Sequence, residues 1–292
     1  MNTWQSIRSA LACILLTTGA FPLSGGLSPI ASAAQESQSS PAVTPQESQT
    51  YEAFRSWLTG QPADVQGADD EVVFERYSAA LHAQGQSERD IATTIASLKA
   101  LGDRAEIERW NKILTAASPR FSTSPNAFLV AATRGLKPGR SLDVGMGQGR
   151  NTIYLAQQGW DSVGFDPADR AVAAGQEQAA KLGVKITTHV ARAEDFEWGD
   201  ARWELIVLSY VGARDYAASV VRALRPGGMV VVEGFHRDAT KTRRIGSGVV
   251  FDTNELLRLF APLRVVRYED TNGVADFGQV ETRVVRLAAV KP

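Results

Sequence analysis

Three glycines in the run Gly145-Met-Gly147-Gln-Gly149, preceded by Asp143 and followed by Arg150 to Gln158, are the residues of this chain best suited to hold a ligand. A glycine run lets the backbone turn sharply and approach a bound molecule more closely than any side chain permits. The N–H groups at the start of the next helix then favour an anionic group. Asp166 follows Gly145 by 21 residues, at the expected end of a second strand. A carboxylate there can accept hydrogen bonds from both hydroxyls of a ribose. Strand, glycine loop, helix, strand and acid together describe a site for an adenosine-bearing ligand.

That spacing alone would also suit a nicotinamide cofactor. Two details favour another ligand: the glycines are spaced G-x-G-x-G rather than G-x-G-x-x-G, and Asp143 stands where a pyrophosphate would be repelled and an ammonium group attracted. The ligand is therefore expected to be a zwitterion joined to a nucleoside, with its ammonium near Asp143 and its carboxylate near the helix start. S-adenosyl-L-methionine has that form. On Ser141 to Thr152 and Val163 to Asp166 the chain resembles the class I S-adenosylmethionine-dependent methyltransferases, in the part that holds the type 11, type 25 and tellurite-resistance-like small-molecule enzymes.

The resemblance covers roughly Phe121 to Pro292. It implies an α/β fold, a Rossmann-like seven-stranded mixed sheet with a C-terminal antiparallel hairpin, together with S-adenosyl-L-methionine as methyl donor and a small-molecule acceptor. The donor-binding set it implies is Asp143, Gly145, Gly147, Gly149, Asn151, Asp166 and Ser209, plus an adenine edge. Relatives place an acid after the third strand to meet the adenine amino group. Arg192 stands at that position here, so the contact is expected to pass to the Ala193 backbone and the carboxylate of Glu194 or Asp195. At the start of the fourth strand Glu204 replaces the usual Asp.

The elements that must position these residues are legible as short apolar runs separated by helical patterns. Lys185–Val190, Trp203–Ser209 and Gly228–Glu233 read as strands three to five, with Asp169–Leu182 and Asp215–Leu224 as helices between them. Arg225-Pro-Gly-Gly228 reads as the helix stop before strand five. Asp252–Phe260 reads as a further helix capped by Asp252 or Thr253. Leu263–Tyr268 and Val280–Val290 then form a hairpin joined around Asn272-Gly273, which a two-half dinucleotide fold does not predict. Upstream, Glu71–Gln84, Ser87–Leu101 (with Ser87 as cap) and Arg104–Thr115 read as a helical prefix spanning 51–118, a candidate lid that leads into the domain at 119–292. Trp110 and Phe121 could wall the site or simply fill a core.

The N-terminus carries a different message. Met1–Arg8 is basic, Ala10–Phe21 is apolar but too short to span a bilayer, and Ala31-Ser-Ala33 supplies a cleavage signature. Residues 1–34 are expected to be an export signal to the periplasm or the exterior, and a polar 35–50 linker rich in Ser, Gln and Pro to be disordered. If the signal does not act, the protein stays in the cytoplasm. Removing it removes Cys13, the only cysteine, and with it any disulfide or thiolate zinc site. A net charge of −1 argues against a nucleic-acid face, and no transmembrane span is expected in the mature chain. Arg237, Lys241, Arg243 and Arg244 form a local basic cluster that reads either as an anion site or as a solvated loop.

Methyl transfer from a sulfonium needs alignment more than a catalytic group, and a base only when the acceptor starts protonated. Tyr210, Glu233 and His236 are the side chains placed to assist, and Tyr210 and His236 are the catalytic candidates; His189 and His82 sit in a strand and a helix. No H-E-x-x-H, C-x-x-C or Ser-His-Asp arrangement is present. Three readings stand at this point: a small-molecule methyltransferase, a protein that binds the nucleoside or a partner without turnover, and a nicotinamide-dependent oxidoreductase.

Overall fold

The computed structural model describes residues 42–292 apart from 67, 69 and 244. The expected export segment and Arg244 lie outside the described residues, as do residues 35–41 of the expected linker. The end of that linker is helical: Pro45–Thr59 forms α1. Its start is fixed by a reciprocal cap in which Thr44 Oγ1 accepts from Glu47 N–H (3.2 Å) and Glu47 Oε2 accepts from Thr44 N–H (2.7 Å), with a proline in the first turn.

Four more helices complete the prefix: α2 (Ala63–Gln66), α3 (Asp70–Ala83), α4 (Glu88–Leu101) and α5 (Arg104–Leu114). Ser87 caps α4 as its sequence predicts, accepting from Asp90 N–H at 3.2 Å. Tyr51, Phe54, Leu58, Val73, Phe74, Tyr77, Leu81, Leu98 and Leu101 close a core of their own, with Phe54 stacked on Phe74 at 5.5 Å. The prefix is thus a packed helical unit, and α5 is the face it turns toward the rest of the chain.

After α6 (Ala127–Thr133) the chain builds β1 (Arg140–Val144), α7 (Arg150–Gln157), β2 (Asp161–Asp166), α8 (Asp169–Lys181), β3 (Thr187–Val190), β4 (Trp203–Ser209), α9 (Ala213–Ala223) and β5 (Leu224–His236). A short β6 (Val250–Phe251), α10 (Glu255–Leu259), β7 (Arg264–Val274) and β8 (Glu281–Val290) follow. The sheet order is β3-β2-β1-β4-β5-β8-β7, with β6 added beside β5. β1 to β5 run parallel and β8 and β7 antiparallel, so the seven-stranded mixed sheet with its terminal hairpin is present.

Alternation along the strands divides the core. Leu142, Val144, Ile206, Leu208, Val230 and Val232 face Ala213, Ala217 and Val220 of α9, while Leu205, Val207, Met229 and Val231 face Phe128, Leu129 and Leu155 on the other side. Both faces are covered, which explains why these strands read as continuous apolar runs.

Several boundaries differ from the sequence reading. β3 begins two residues later than expected, at Thr187, and β5 begins at Leu224, immediately after α9. α10 is shorter than the expected 252–260, because the Asp252 carboxylate is held by Arg237 and Asn254 enters the helix with φ 60°. The hairpin turn is not at Asn272-Gly273. Both residues pair within β7, opposite Arg283 and Thr282, and the chain reverses over 275–280. That shift matters, since it carries Asp276 and Phe277 over the C-terminal ends of β4 and β5.

Candidate donor and acceptor site

Those strand ends open on a cavity with an empty volume of about 920 Å³, counting its mouth. Its floor is the glycine loop and the ends of β1, β2 and β4: Val144, Gly145, Gly147, Phe165, Asp166 and Ser209. The loop backbone is left-handed at Gly145 (φ 66°) and Gly147 (φ 55°). A Cβ added at Gly145 would lie 2.7 Å from Val211 Cγ2, and one at Gly147 would lie 3.3 Å from Leu114 Cδ2. Both positions therefore disfavour a side chain by conformation, and Gly145 does so by contact as well, while at Gly147 Leu114 would have to give way slightly.

Asp166 anchors this loop. Its Oδ2 accepts from Gly147 N–H (3.0 Å) and its Oδ1 from Ala168 N–H (2.8 Å). The side chain is buried, and burial raises its carboxyl to about 6 against those two hydrogen bonds.

Asp143 is placed differently from the expectation. Its Oδ2 accepts from Thr152 N–H (3.1 Å) and Thr152 Oγ1 (2.7 Å), so the carboxylate tethers the first turn of α7 and is not among the residues lining the cavity. Burial raises its carboxyl to about 6 as well. Asn151 is also turned away, accepting from Asn126 N–H at 2.9 Å. Gly149, the left-handed cap of α7, is likewise outside the lining. Of the expected adenine edge, Ala193 and Glu194 line the cavity and Asp195 does not.

The helical prefix supplies a wall that the sequence reading named only through Trp110. Asp103, Glu106, Ile107, Trp110 and Leu114 line the cavity at spacings of three and four along α5. Asp103 is buried and forms an ion pair with Arg192, the residue standing where relatives carry an acid. Burial raises the Asp103 carboxyl to about 6 even though Arg192 opposes the shift. Asn111 fixes α5 to the core: its Oδ1 accepts from Arg170 N–H (2.9 Å) at the start of α8, and its Nδ2 donates to Asp169 Oδ1 (2.7 Å). Gln148 Nε2 donates to the Leu114 carbonyl at the other end of the helix.

Over β4 and β5 the roof is aromatic. Phe277 packs against Tyr210 (5.3 Å between ring centroids), Phe121 (5.6 Å) and Trp110 (6.3 Å). Trp110 lines the cavity, while Phe121 stands behind Phe277. A polar network holds the roof down. Tyr210 donates its phenolic hydrogen to Glu233 Oε1 (2.7 Å) and accepts from Asp276 N–H (3.1 Å). Glu233 Oε2 accepts from Asn126 Nδ2 (2.9 Å) and Arg286 Nε (2.8 Å), and Asp276 Oδ2 accepts from Arg150 (2.7 Å).

This network decides what the two catalytic candidates can do. Tyr210 lines the cavity, but burial and the neighbouring Glu233 carboxylate push its phenol well above the usual tyrosine range, so it is no base at neutral pH. His236 is withdrawn from the cavity: Nδ1 accepts from Asp238 N–H (3.0 Å) and Nε2 shares a hydrogen bond with Thr253 Oγ1 (3.0 Å). The basic loop is largely compensated too. Arg237 pairs with Asp252, while Lys241 (2.5 Å) and Arg283 (2.6 Å) both meet Asp238.

Residues 142–228, from β1 into β5, match a family model described as a methyltransferase domain. Residues 142–228 are a methyltransferase domain of the class I S-adenosylmethionine-dependent family. The cofactor of that family is S-adenosyl-L-methionine. Among curated proteins, the chain is 34% identical over 109 residues to a 2-heptyl-1-hydroxyquinolin-4(1H)-one methyltransferase of Mycobacteroides abscessus, covering 35% of this chain and 48% of that one. It is 24% identical over 174 residues to Hemagglutinin 1 of Eikenella corrodens, covering 58% of each. The chain thus spans about half the length of these relatives. Among solved structures, the N-methyltransferase NodS of Bradyrhizobium japonicum, in complex with S-adenosyl-L-homocysteine, superposes with a TM-score of 0.50 at 16% identity over 64% of this chain and 98% of that one. That likeness is one of fold.

Proposed function

We propose that the cavity between the sheet and α5 performs methyl transfer from S-adenosyl-L-methionine to a small-molecule acceptor by in-line displacement. The observation that carries this reading is the joint placement of Gly145, Gly147 and Asp166 on the floor of one cavity whose other half is walled by Trp110, Tyr210 and Phe277. Asp166 receives the ribose hydroxyls, and the left-handed glycine backbone accommodates the amino-acid tail. Ala193 and Glu194 border the adenine, and Ser209 stands beside the sulfonium end. Asp143 acts through α7, positioning the N–H groups of the helix start rather than meeting the ammonium.

In the transfer, the attacking atom forms a bond to the methyl carbon as the carbon–sulfur bond breaks, and that electron pair returns to sulfur as a neutral thioether. The protein contributes alignment and exclusion of water, which can supply roughly 7–11 kcal/mol in favourable cases. Tyr210 and Glu233 position the roof and take no proton. The similar proteins named for their chemistry include a hydroxyquinolone methyltransferase and ubiquinone-biosynthesis O-methyltransferases, which support a small ring-bearing acceptor. The saturated hydrogen bonds of Tyr210 and Glu233 favour a second reading, a nucleoside-binding domain without turnover.

Calorimetry with S-adenosyl-L-methionine, S-adenosyl-L-homocysteine and NADPH tests the donor. The sulfur nucleosides should bind and NADPH should not; the reverse order would replace this reading with a hydride-transfer one. Labelled donor incubated with an acceptor panel separates turnover from binding alone.

A further inference from the structure

We infer that the acceptor is a planar aromatic molecule that is uncharged apart from its reacting atom, held against Phe277 at the β4 and β5 end of the cavity. This inference rests on the methyltransferase reading and adds the class of acceptor. The sheet order decides where the acceptor must lie. With the ribose at Asp166 on β2 and the amino-acid tail at Gly145 after β1, the donor occupies the β3-β2-β1 side. The room left for a second molecule lies over the ends of β4 and β5.

That room is bounded by rings. Tyr210 and Phe277 meet edge-on at 5.3 Å with an interplanar angle of 68°, and Phe277 and Trp110 do so at 6.3 Å and 79°. Perpendicular rings leave a flat face and a slot for a further ring, which gains from both apolar burial and aromatic contact. The slot is built rather than accidental. Tyr210 holds a left-handed backbone (φ 58°), a conformation unfavourable for a non-glycine residue, and its hydroxyl is engaged on both sides by Glu233 and Asp276. Asp276, in turn, is clamped by Arg150 and Asn126, which sets Phe277 one residue later.

Charge selects against anionic acceptors. Among the described lining residues Arg192 is the one cation; it follows β3 on the donor side and pairs with Asp103, so no lining cation stands at the β4 and β5 end. A carboxylate or phosphate brought to that end would lose its hydration and find no lining cation to replace it. A nucleophile that ionises on its own escapes this penalty, because its charge forms directly beside the sulfonium. The ring hydroxyl or thiol loses its proton to water, the resulting anion attacks the methyl carbon, and both charges disappear in the products. Since Tyr210 and Glu233 are saturated, no side chain is needed for that proton.

The test uses 2-naphthol and 6-hydroxy-2-naphthoate, which share a ring system and a hydroxyl and differ in one carboxylate. Affinity for S-adenosyl-L-homocysteine is measured first; its absence would count against the methyltransferase reading itself. On the loaded protein, 2-naphthol should bind at least about tenfold more tightly than the carboxylated ring. Phe277→Ala and the milder Phe277→Leu should each weaken 2-naphthol, by about tenfold and a few-fold, while leaving S-adenosyl-L-homocysteine within twofold. Equal affinity for the two rings, absence of 2-naphthol binding to the loaded protein, or indifference to both Phe277 variants would overturn the inference.

Discussion

Replacing Asp166 with Ala should cost the protein most of its donor affinity, and the structure sets the size of the loss. The carboxylate is expected to accept from two ribose hydroxyls, and a hydrogen bond to a charged group contributes about 1.5–3 kcal/mol. Taking the lower figure for each gives roughly 3 kcal/mol, or about 150-fold in Kd at 1.4 kcal/mol per decade. A second contribution acts in the same direction, because Gly147 N–H and Ala168 N–H lose their acceptor and the glycine loop is no longer pinned. The apo protein should be less affected than donor affinity, since the environment already holds this carboxyl at about 6 and removal relieves a buried charge. Calorimetry of S-adenosyl-L-homocysteine with the wild-type and Asp166→Ala proteins, each checked by thermal melting, reads both quantities. A folded variant whose Kd stays within threefold of wild type would refute the assignment of Asp166 as ribose acceptor.

Other consequences can be checked alongside. Gly147→Val introduces a branched side chain at φ 55° against Leu114, so donor affinity should fall by more than tenfold and the melting temperature by several degrees. Lowering pH protonates Asp166 through about 6, which removes acceptor capacity; S-adenosyl-L-homocysteine affinity should therefore be constant above pH 7 and decline below pH 6 by up to about tenfold per unit. For stability the sign is opposite at Asp103: its folded pKa of about 6 lies above the unfolded value, so the fold is destabilised as pH rises through that interval. Asp103→Asn should accordingly raise the melting temperature at pH 8 and lose that advantage near pH 4. Tyr210→Phe strands Glu233 Oε1 and Asp276 N–H, costing about 1–3 kcal/mol of stability, yet should leave any alkaline limb of the pH–rate profile in place. If residues 1–34 act as an export signal, mass spectrometry of the mature protein should find its N-terminus near Gln35.

The half of the site made by local sequence was legible, and the half made by topology was not. Gly145, Gly147 and Asp166 lie at the ends of adjacent parallel strands, where strand-loop-helix order alone brings them together. Asp143 illustrates the limit of that reasoning, since its residue type suited an ammonium while Thr152, nine residues on, offered two nearer donors. Phe277 left no local trace. It reaches the cavity because the β7 and β8 pairing runs through Asn272 and Gly273 and moves the turn beyond them. The α5 face carried a signal in retrospect: Asp103, Glu106, Ile107, Trp110 and Leu114 recur at helical spacing, mixing acids into what would otherwise be a core-facing stripe. An acid pair on a buried helical face has a partner elsewhere, and for Asp103 that partner is Arg192, the residue that departs from the family pattern.

A crystal structure of the protein soaked with S-adenosyl-L-homocysteine tests the central claim most directly. The ribose hydroxyls should lie within hydrogen-bond distance of the Asp166 carboxylate, with the sulfur turned toward Tyr210 and Phe277 beneath α5. Density for the nucleoside elsewhere, or a cavity that stays closed to it at saturating concentration, would contradict the account.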